Sequence, residues 1–123
     1  MRAGLQGLRI LVVEDEYLVA ALIQDFLEAA GCIVVGPIPR LAQAVEAARD
    51  ETCDGAVLDI NLGGSQVFSV AEVLSRRRIP FAFVTGYGSE VLPAQFHQRP
   101  TIRKPFRGTE LLDAVSGFAS PAA

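Results

Sequence analysis

The chain has 123 residues, of which 50% are apolar and 20% charged, and it carries a formal net charge of −3. That is the length of about one domain with enough apolar content to build a packed core, which excludes a disordered chain. The acidic balance argues against a nucleic-acid-binding surface, because phosphate contacts need clustered positive charge.

No apolar run reaches the roughly 20 residues of a membrane span. The first, LRILVV (8–13), meets the acids EDE at once, unlike a secretory signal. The expectation is a cytoplasmic domain that binds neither membrane nor nucleic acid. Cys32 and Cys53 lack metal-type spacing and read as buried apolar thiols in a reducing compartment.

In chain order, residues 8–13 read as a fully buried strand. Residues 17–30 follow helical spacing, with Leu18, Leu22, Phe26 and Ala29 or Ala30 on one face and Val19, Ile23 and Leu27 beside it. Gly31 supplies the stop. CIVVG (32–36) is a second strand, after which Pro37 and Pro39 break the chain. Residues 40–51 form a helix with apolar Leu41, Val45 and Ala48.

GAVLDI (55–60) is a third strand, ending at Asp59, and NLGGSQ (61–66) a loop. Residues 67–77 are a third helix, striped by Val67, Val70, Ala71 and Leu74. Arg76 to Arg78 read as a solvated helix end facing the negative pole of the dipole, with kinase docking as the alternative. PFAFV (80–84) is a fourth strand and TGYG (85–88) a loop. Pro93 limits residues 89–98 to a short or irregular helix. His97 is expected at the surface. TIR (101–103) is a fifth strand, Phe106 is expected in the core, and residues 108–118 form a last helix, apolar at 111, 112, 115 and 118.

Five alternations of strand and helix predict one parallel sheet with helices on both faces. Ligands of such sheets sit outside the carboxyl ends of the strands. Those ends carry Glu14, Asp15 and Glu16 after the first strand, Asp59 at the third, Thr85 and Gly86 at the fourth and Lys104 at the fifth. Two like unit charges 4 Å apart repel by about 4 kcal/mol at an effective dielectric near 20, so the acidic cluster calls for a cation. Hard oxygen ligands with positions left for water and phosphate suit Mg²⁺.

A metal beside a carboxylate suits phosphoryl transfer, with Asp59 as the nucleophile and an aspartyl phosphate as the product. Thr85 can donate its hydroxyl to a phosphoryl oxygen, and Gly86 leaves the approach open. Lys104 is the only lysine beside ten arginines. It supplies a compact point charge where arginine's planar fork fits less well.

The runs LVVEDE, LDINLGG, FVTGYG and RKPF, in this order and spacing, resemble the receiver domain of bacterial two-component response regulators over essentially the whole chain. PFAFVTGYG is similar to the signature of the subgroup nicknamed FAT GUY, P-F-x-F-A-T-G-Y, with Val84 in place of alanine. The resemblance implies a flavodoxin-like (βα)5 doubly wound fold in a single receiver domain, 1–123, without an output domain. It implies Asp59 as phosphoacceptor and Asp15, Asp59, the Asn61 backbone carbonyl and, through water, Glu14 as ligands of Mg²⁺. Thr85 and Lys104 would contact the phosphoryl group, and Lys104–Pro105 would be a cis peptide.

Thr101 stands where most of the family has an aromatic switch residue. Tyr87 is the nearest ring that could replace it, and the 85–98 segment is the expected moving part. The implied partners are a sensor histidine kinase and an unknown downstream protein, bound through the face between the fourth strand and the last helix. The domain would be a monomer or a weak phosphorylation-dependent dimer, and not a turnover enzyme. The alternatives are a phosphorylation-independent binding module, a fragment of a longer regulator, and a phosphohydrolase. The last usually has a second aspartate where Asn61 stands.

Overall fold

The architecture is that of a computed structural model, which describes residues 4–86 and 92–119. Strands β1 (Arg9–Val13), β3 (Gly55–Asp59) and β6 (Phe81–Thr85) lie inside a five-stranded sheet. Strand β2 (Ile33–Ile38) forms one edge and β7 (Thr101–Arg103) the other, in the order β2-β1-β3-β6-β7, with all neighbours parallel. Every residue of β3 and β6 is buried, as expected where helices cover both faces of a parallel sheet. Burying a leucine, isoleucine or phenylalanine side chain is worth about 1.5–3 kcal/mol.

Two separate cores make the double winding concrete. On one face, α2 (Leu41–Asp50) and α3 (Phe68–Arg76) pack Ala44, Ala48, Val70 and Leu74 onto Leu11, Leu58, Phe81 and Phe83. On the other, α1 (Tyr17–Ala29) and α4 (Gly108–Ser116) pack Ile23, Leu27, Leu111 and Val115 onto Ile10, Val12, Val57 and Val84. Phe106 is half-buried against this second core. The two cysteines are free and buried, Cys53 in the first core and Cys32 in the second, with the sheet between them.

The structure departs from the expectations in four places. Helix α1 buries Ala20, Ile23 and Leu27, while Leu18 is 80% and Leu22 42% exposed. The segment YLVAALI is apolar on every side, so spacing alone could not say which stripe faces the sheet. In α2 the fully buried positions are the small Ala44 and Ala48, with Leu41 and Val45 only partly covered.

Strand β2 does not stop at Pro37. It continues to Ile38 through a bulge, since Leu11 pairs with Val35 but Val13 with Ile38. Proline is tolerated there because β2 is an edge strand and the bulged residue needs no ladder hydrogen bond. Gly36 makes the bulge possible: its φ is +107°, and a Cβ would come within 2.8 Å of the Val12 carbonyl. Lastly, NLGGSQ is not a plain loop but a small antiparallel hairpin, β4 (Asn61–Leu62) and β5 (Ser65–Gln66), turned by Gly63 and Gly64 at positive φ.

Between β6 and β7 the described chain makes one 3-10 turn, Ala94–Phe96. His97 is exposed, and its Nε2 lies 2.8 Å from the Leu92 carbonyl. Phe96 anchors the segment by packing among Phe68, Phe81 and Phe83, with ring centroids 5.4–6.1 Å apart through the cluster. Two residues past the end of α3 stands Arg78, the only non-glycine at positive φ (59°) among the described residues. A left-handed turn costs a residue with a Cβ about 1 kcal/mol or more, so glycine is the usual choice there.

Replacing Phe96 by alanine should cost about 3–5 kcal/mol of stability, since it empties the centre of the aromatic cluster. Urea unfolding of Phe96→Ala measures this, and a cost under 1 kcal/mol would show that the 94–96 turn is not part of the core.

Candidate functional site

The carboxyl ends of β1, β3, β6 and β7 open into a cavity of about 530 Å³. Hydrogen bonds between neighbouring backbones fix the register of its walls. The Glu14 amide donates to Ile38, Ile60 to Val84, and Lys104 to Thr85, at 2.8–3.1 Å. Asp15, Asp59, Asn61, Thr85, Gly86 and Lys104 line it, together with Glu16, Gly63, Gly64 and Gln66. A Cβ built on Gly86 would enter open space, so glycine there keeps the cavity mouth clear without being required by packing.

Carboxylate oxygens of Glu14, Asp15 and Asp59 all lie within 4.8 Å of one another. Asp59 is 4% and Glu14 1% exposed. The Asn61 amide donates to Asp59 Oδ1 at 3.3 Å, and the Glu16 amide to Glu14 Oε2 at 3.1 Å. Lys104 reaches across the sheet: its Nζ lies 2.7 Å from Glu16 Oε1, 3.2 Å from Glu14 Oε1 and 3.4 Å from Asp59 Oδ2. The peptide that follows, Lys104–Pro105, is cis.

Burial pushes the Glu14 carboxyl up to about 8, and its hydrogen bond with Asp59 adds to the shift, against the pull of the Glu16 amide and Lys104. Burial also raises Asp59, opposed by Glu14 and Lys104. For Lys104 burial works downward, but the carboxylates of Glu16, Asp59 and Glu14 outweigh it and the net shift is upward. By its own side chains the cluster therefore retains a proton near neutral pH. Glu14 Oε1 is buried and accepts no hydrogen bond among the described residues, although it faces the lysine. A buried orphan oxygen among three converging carboxylates is the donor set of a hard divalent cation.

The structure thus brings Glu14, Asp15, Asp59, Asn61, Thr85, Gly86, Lys104 and Pro105 to one end of the sheet. Thr101 starts β7, exposed and opposite Phe83, with its hydroxyl 3.5 Å from the Arg99 carbonyl. Tyr87, proposed from sequence as a switch, lies outside the described residues, as does the 87–91 part of the 85–98 segment. Glu16 was the residue that sequence reasoning left without a role, and it makes the shortest contact to Lys104. A pair 88 residues apart has no periodic signal that could have revealed it.

The sequence matches the response regulator receiver domain over residues 10–116. The chain belongs to the receiver domain family. It is 31% identical to the phyllosphere-induced regulator PhyR of Methylorubrum extorquens over 114 residues, which are 87% of this chain and 42% of that protein. The receiver thus spans less than half of that relative. It is 29% identical to the chemotaxis protein CheY of Bacillus subtilis over 113 residues, 88% of this chain and 94% of CheY. The solution structure of SdrG from Sphingomonas melonis Fr1 superposes with a TM-score of 0.81 at 37% identity, covering 93% of this chain and 98% of SdrG. The BeF3-activated conformation of SdrG gives 0.76 at 36% identity, covering 98% of this receiver and all of that chain.

Two expectations follow from the electrostatics. Glu14 keeps its proton to about pH 8 when folded, against 4.5 ordinarily. The folded receiver therefore binds the extra proton between those values. The stability this proton confers is complete below pH 4.5 and is lost as pH rises through 8. One full proton corresponds to about 1.4 kcal/mol per pH unit. Thermal melts in a chelator from pH 5 to 8 should show a falling midpoint that Glu14→Gln flattens; equal slopes would contradict the assignment. In Glu16→Gln, the Lys104 ammonium should titrate at lower pH than in wild type, read by ¹⁵Nζ resonances, and an unchanged titration would show that the 2.7 Å contact does not hold the lysine.

Proposed function

We propose that this receiver is a phosphoacceptor in a two-component relay, with Asp59 accepting the phosphoryl group from the phosphohistidine of a sensor kinase. The observation that carries this reading is the position of Asp59, between a carboxylate cluster fit for a cation and the Lys104 ammonium 3.4 Å away. One Asp59 oxygen would attack phosphorus in line with the departing histidine nitrogen. The N–P bond breaks as the O–P bond forms, and the kinase recovers a neutral imidazole after taking up a proton.

Asp15, Asp59, the Asn61 carbonyl and, through water, Glu14 would hold Mg²⁺, which supplies positive charge to the phosphoryl oxygens when bound. Lys104 would turn from the carboxylates to another of those oxygens, and Thr85 would donate its hydroxyl to the third. Access for water along Gly86 would set the rate at which the aspartyl phosphate is lost. The chain's own role is to promote gain and loss of its phosphoryl group, with no turnover of a separate substrate.

Proteins would be the partners. Tyr17 and Leu18, 82% and 80% exposed, stand directly after the acids that border the cavity, where a phosphodonor protein must approach. The run from Pro80 through Tyr87 supports membership of the FAT GUY subgroup. With Thr101 in place of the family's ring, the signal would leave through the 85–98 segment. The likeness to PhyR and SdrG favours a role as a regulator, and no membrane-crossing helix occurs among the described residues.

Phosphotransfer from a panel of histidine kinases should label wild type and leave Asp59→Asn at background, a loss of about a hundredfold or more, the size expected when a nucleophile is removed. A chelator should have the same effect. Label retained on the variant would overturn the acceptor assignment. Beryllofluoride with Mg²⁺ should shift the amide resonances around Asp59 and Thr85, and an unmoved spectrum would favour a phosphorylation-independent binding module.

A further inference from the structure

Three arginines gather at the opposite end of the sheet from Asp59, at the amino end of β6. Arg99 is already oriented there. Its guanidinium carbon lies 4.3 Å over the face of Phe81, and Nη2 points to the Ser75 hydroxyl at 3.4 Å. Stacking on a fixed ring restrains the fork, and most of its five N–H donors are left for an incoming carboxylate.

Arg78 is the second. It occupies the left-handed position two residues past the end of α3, where glycine would relieve the backbone, and its exposed guanidinium has no hydrogen-bond or ion-pair partner among the described residues. A side chain kept at a strained position points to a use for it. Among the described residues Arg76, the third, meets only Glu72, at 4.0 Å and well exposed. Arg77 is different, because it ties α3 to the end of α2 by donating to the carbonyls of Ala48 and Glu51.

Two clefts meet at the Ser75–Arg99 pair. One, of about 560 Å³, runs past Arg76 to the edge of Phe96. The other, of about 490 Å³, runs past Arg78 over Pro80 to Phe118. Together they are longer than a small anion fills, and they set Arg76, Arg78 and Arg99 among the polar Glu72, Ser75 and Gln95 and the apolar Pro80 and Phe118. A nucleic acid would meet a chain of net charge −3.

We propose that these clefts dock an extended acidic segment of a partner protein, with carboxylates on Arg99 and Arg78 and apolar side chains on Pro80 and Phe118. This surface is remote from the phosphoacceptor cavity and does not depend on phosphorylation of Asp59.

A fluorescein-labelled hexapeptide of four glutamates and two leucines is the probe, read by anisotropy and by amide shifts of the labelled receiver. The expected result is saturable, salt-sensitive binding that shifts residues 75–79 and 96–99. Arg78→Gly should weaken it about tenfold, the size of one lost charge-assisted contact, while the thermal midpoint holds or rises. Arg99→Lys, which keeps the charge and loses the fork, should weaken it as well. Absence of saturable binding, shifts centred on the Asp59 cavity, equal affinity in Arg78→Gly, or a large fall in that variant's thermal midpoint would each overturn the proposal. So would binding of inorganic pyrophosphate without binding of the peptide.

Discussion

Lys104 Nζ lies within 3.4 Å of carboxylates from Glu14, Glu16 and Asp59, which would otherwise face each other across a partly closed pocket. Close like charges at protein surfaces repel by several kcal/mol, so the ends of β1 and β3 can carry this much acid only if a cation stands among them. Among the described residues that cation is the Lys104 ammonium, and burial, which raises the Glu14 carboxyl to about 8, adds a proton to the cluster. The order of the strands makes the arrangement possible. β1 and β3 are neighbours, β6 follows and β7 closes the edge, so a lysine 45 residues from Asp59 arrives beside it.

The same constraint shapes the surrounding backbone. The Asn61 and Glu16 amides turn back onto the two buried carboxylates, and the hairpin at Gly63 and Gly64 walls the cavity without filling it. A phosphoryl group and a divalent cation would enter a site whose repulsions are already balanced. On the proposed reading, Lys104 would exchange carboxylate contacts for phosphoryl oxygens, and Glu14 would give up its proton beside the cation. The exposed Glu16 can release the lysine more readily than a buried partner could.

The sheet separates two chemistries by the length of its strands. A five-residue strand spans roughly 16 Å. At the carboxyl end of β6 stands Thr85 in the acidic pocket; at its amino end Phe81 carries the Arg99 guanidinium. A chain of net negative charge thus gathers three arginines, beside the single acid Glu72, at the end of the sheet away from Asp59. The aromatic cluster of Phe68, Phe81, Phe83 and Phe96 lies between the two and joins β6 to the segment that follows it.

Much of this was legible in the sequence. Alternating apolar runs and helical stripes determined the parallel sheet, because a strand covered on both faces must be apolar throughout. The residues at the strand ends determined the acidic cavity, because parallel strands deliver their carboxyl ends to one side. Tertiary structure decided what local pattern leaves degenerate. It chose Ile23 and Leu27 over Leu18 and Leu22 as the buried face of α1, since a helix apolar all round has no preferred stripe until it meets a sheet. It carried β2 through Pro37, since an edge strand can spare the ladder hydrogen bond that proline cannot donate. It paired Glu16 with Lys104 and Arg99 with Phe81, since contacts between residues distant in sequence are set by packing and leave no periodic trace along the chain.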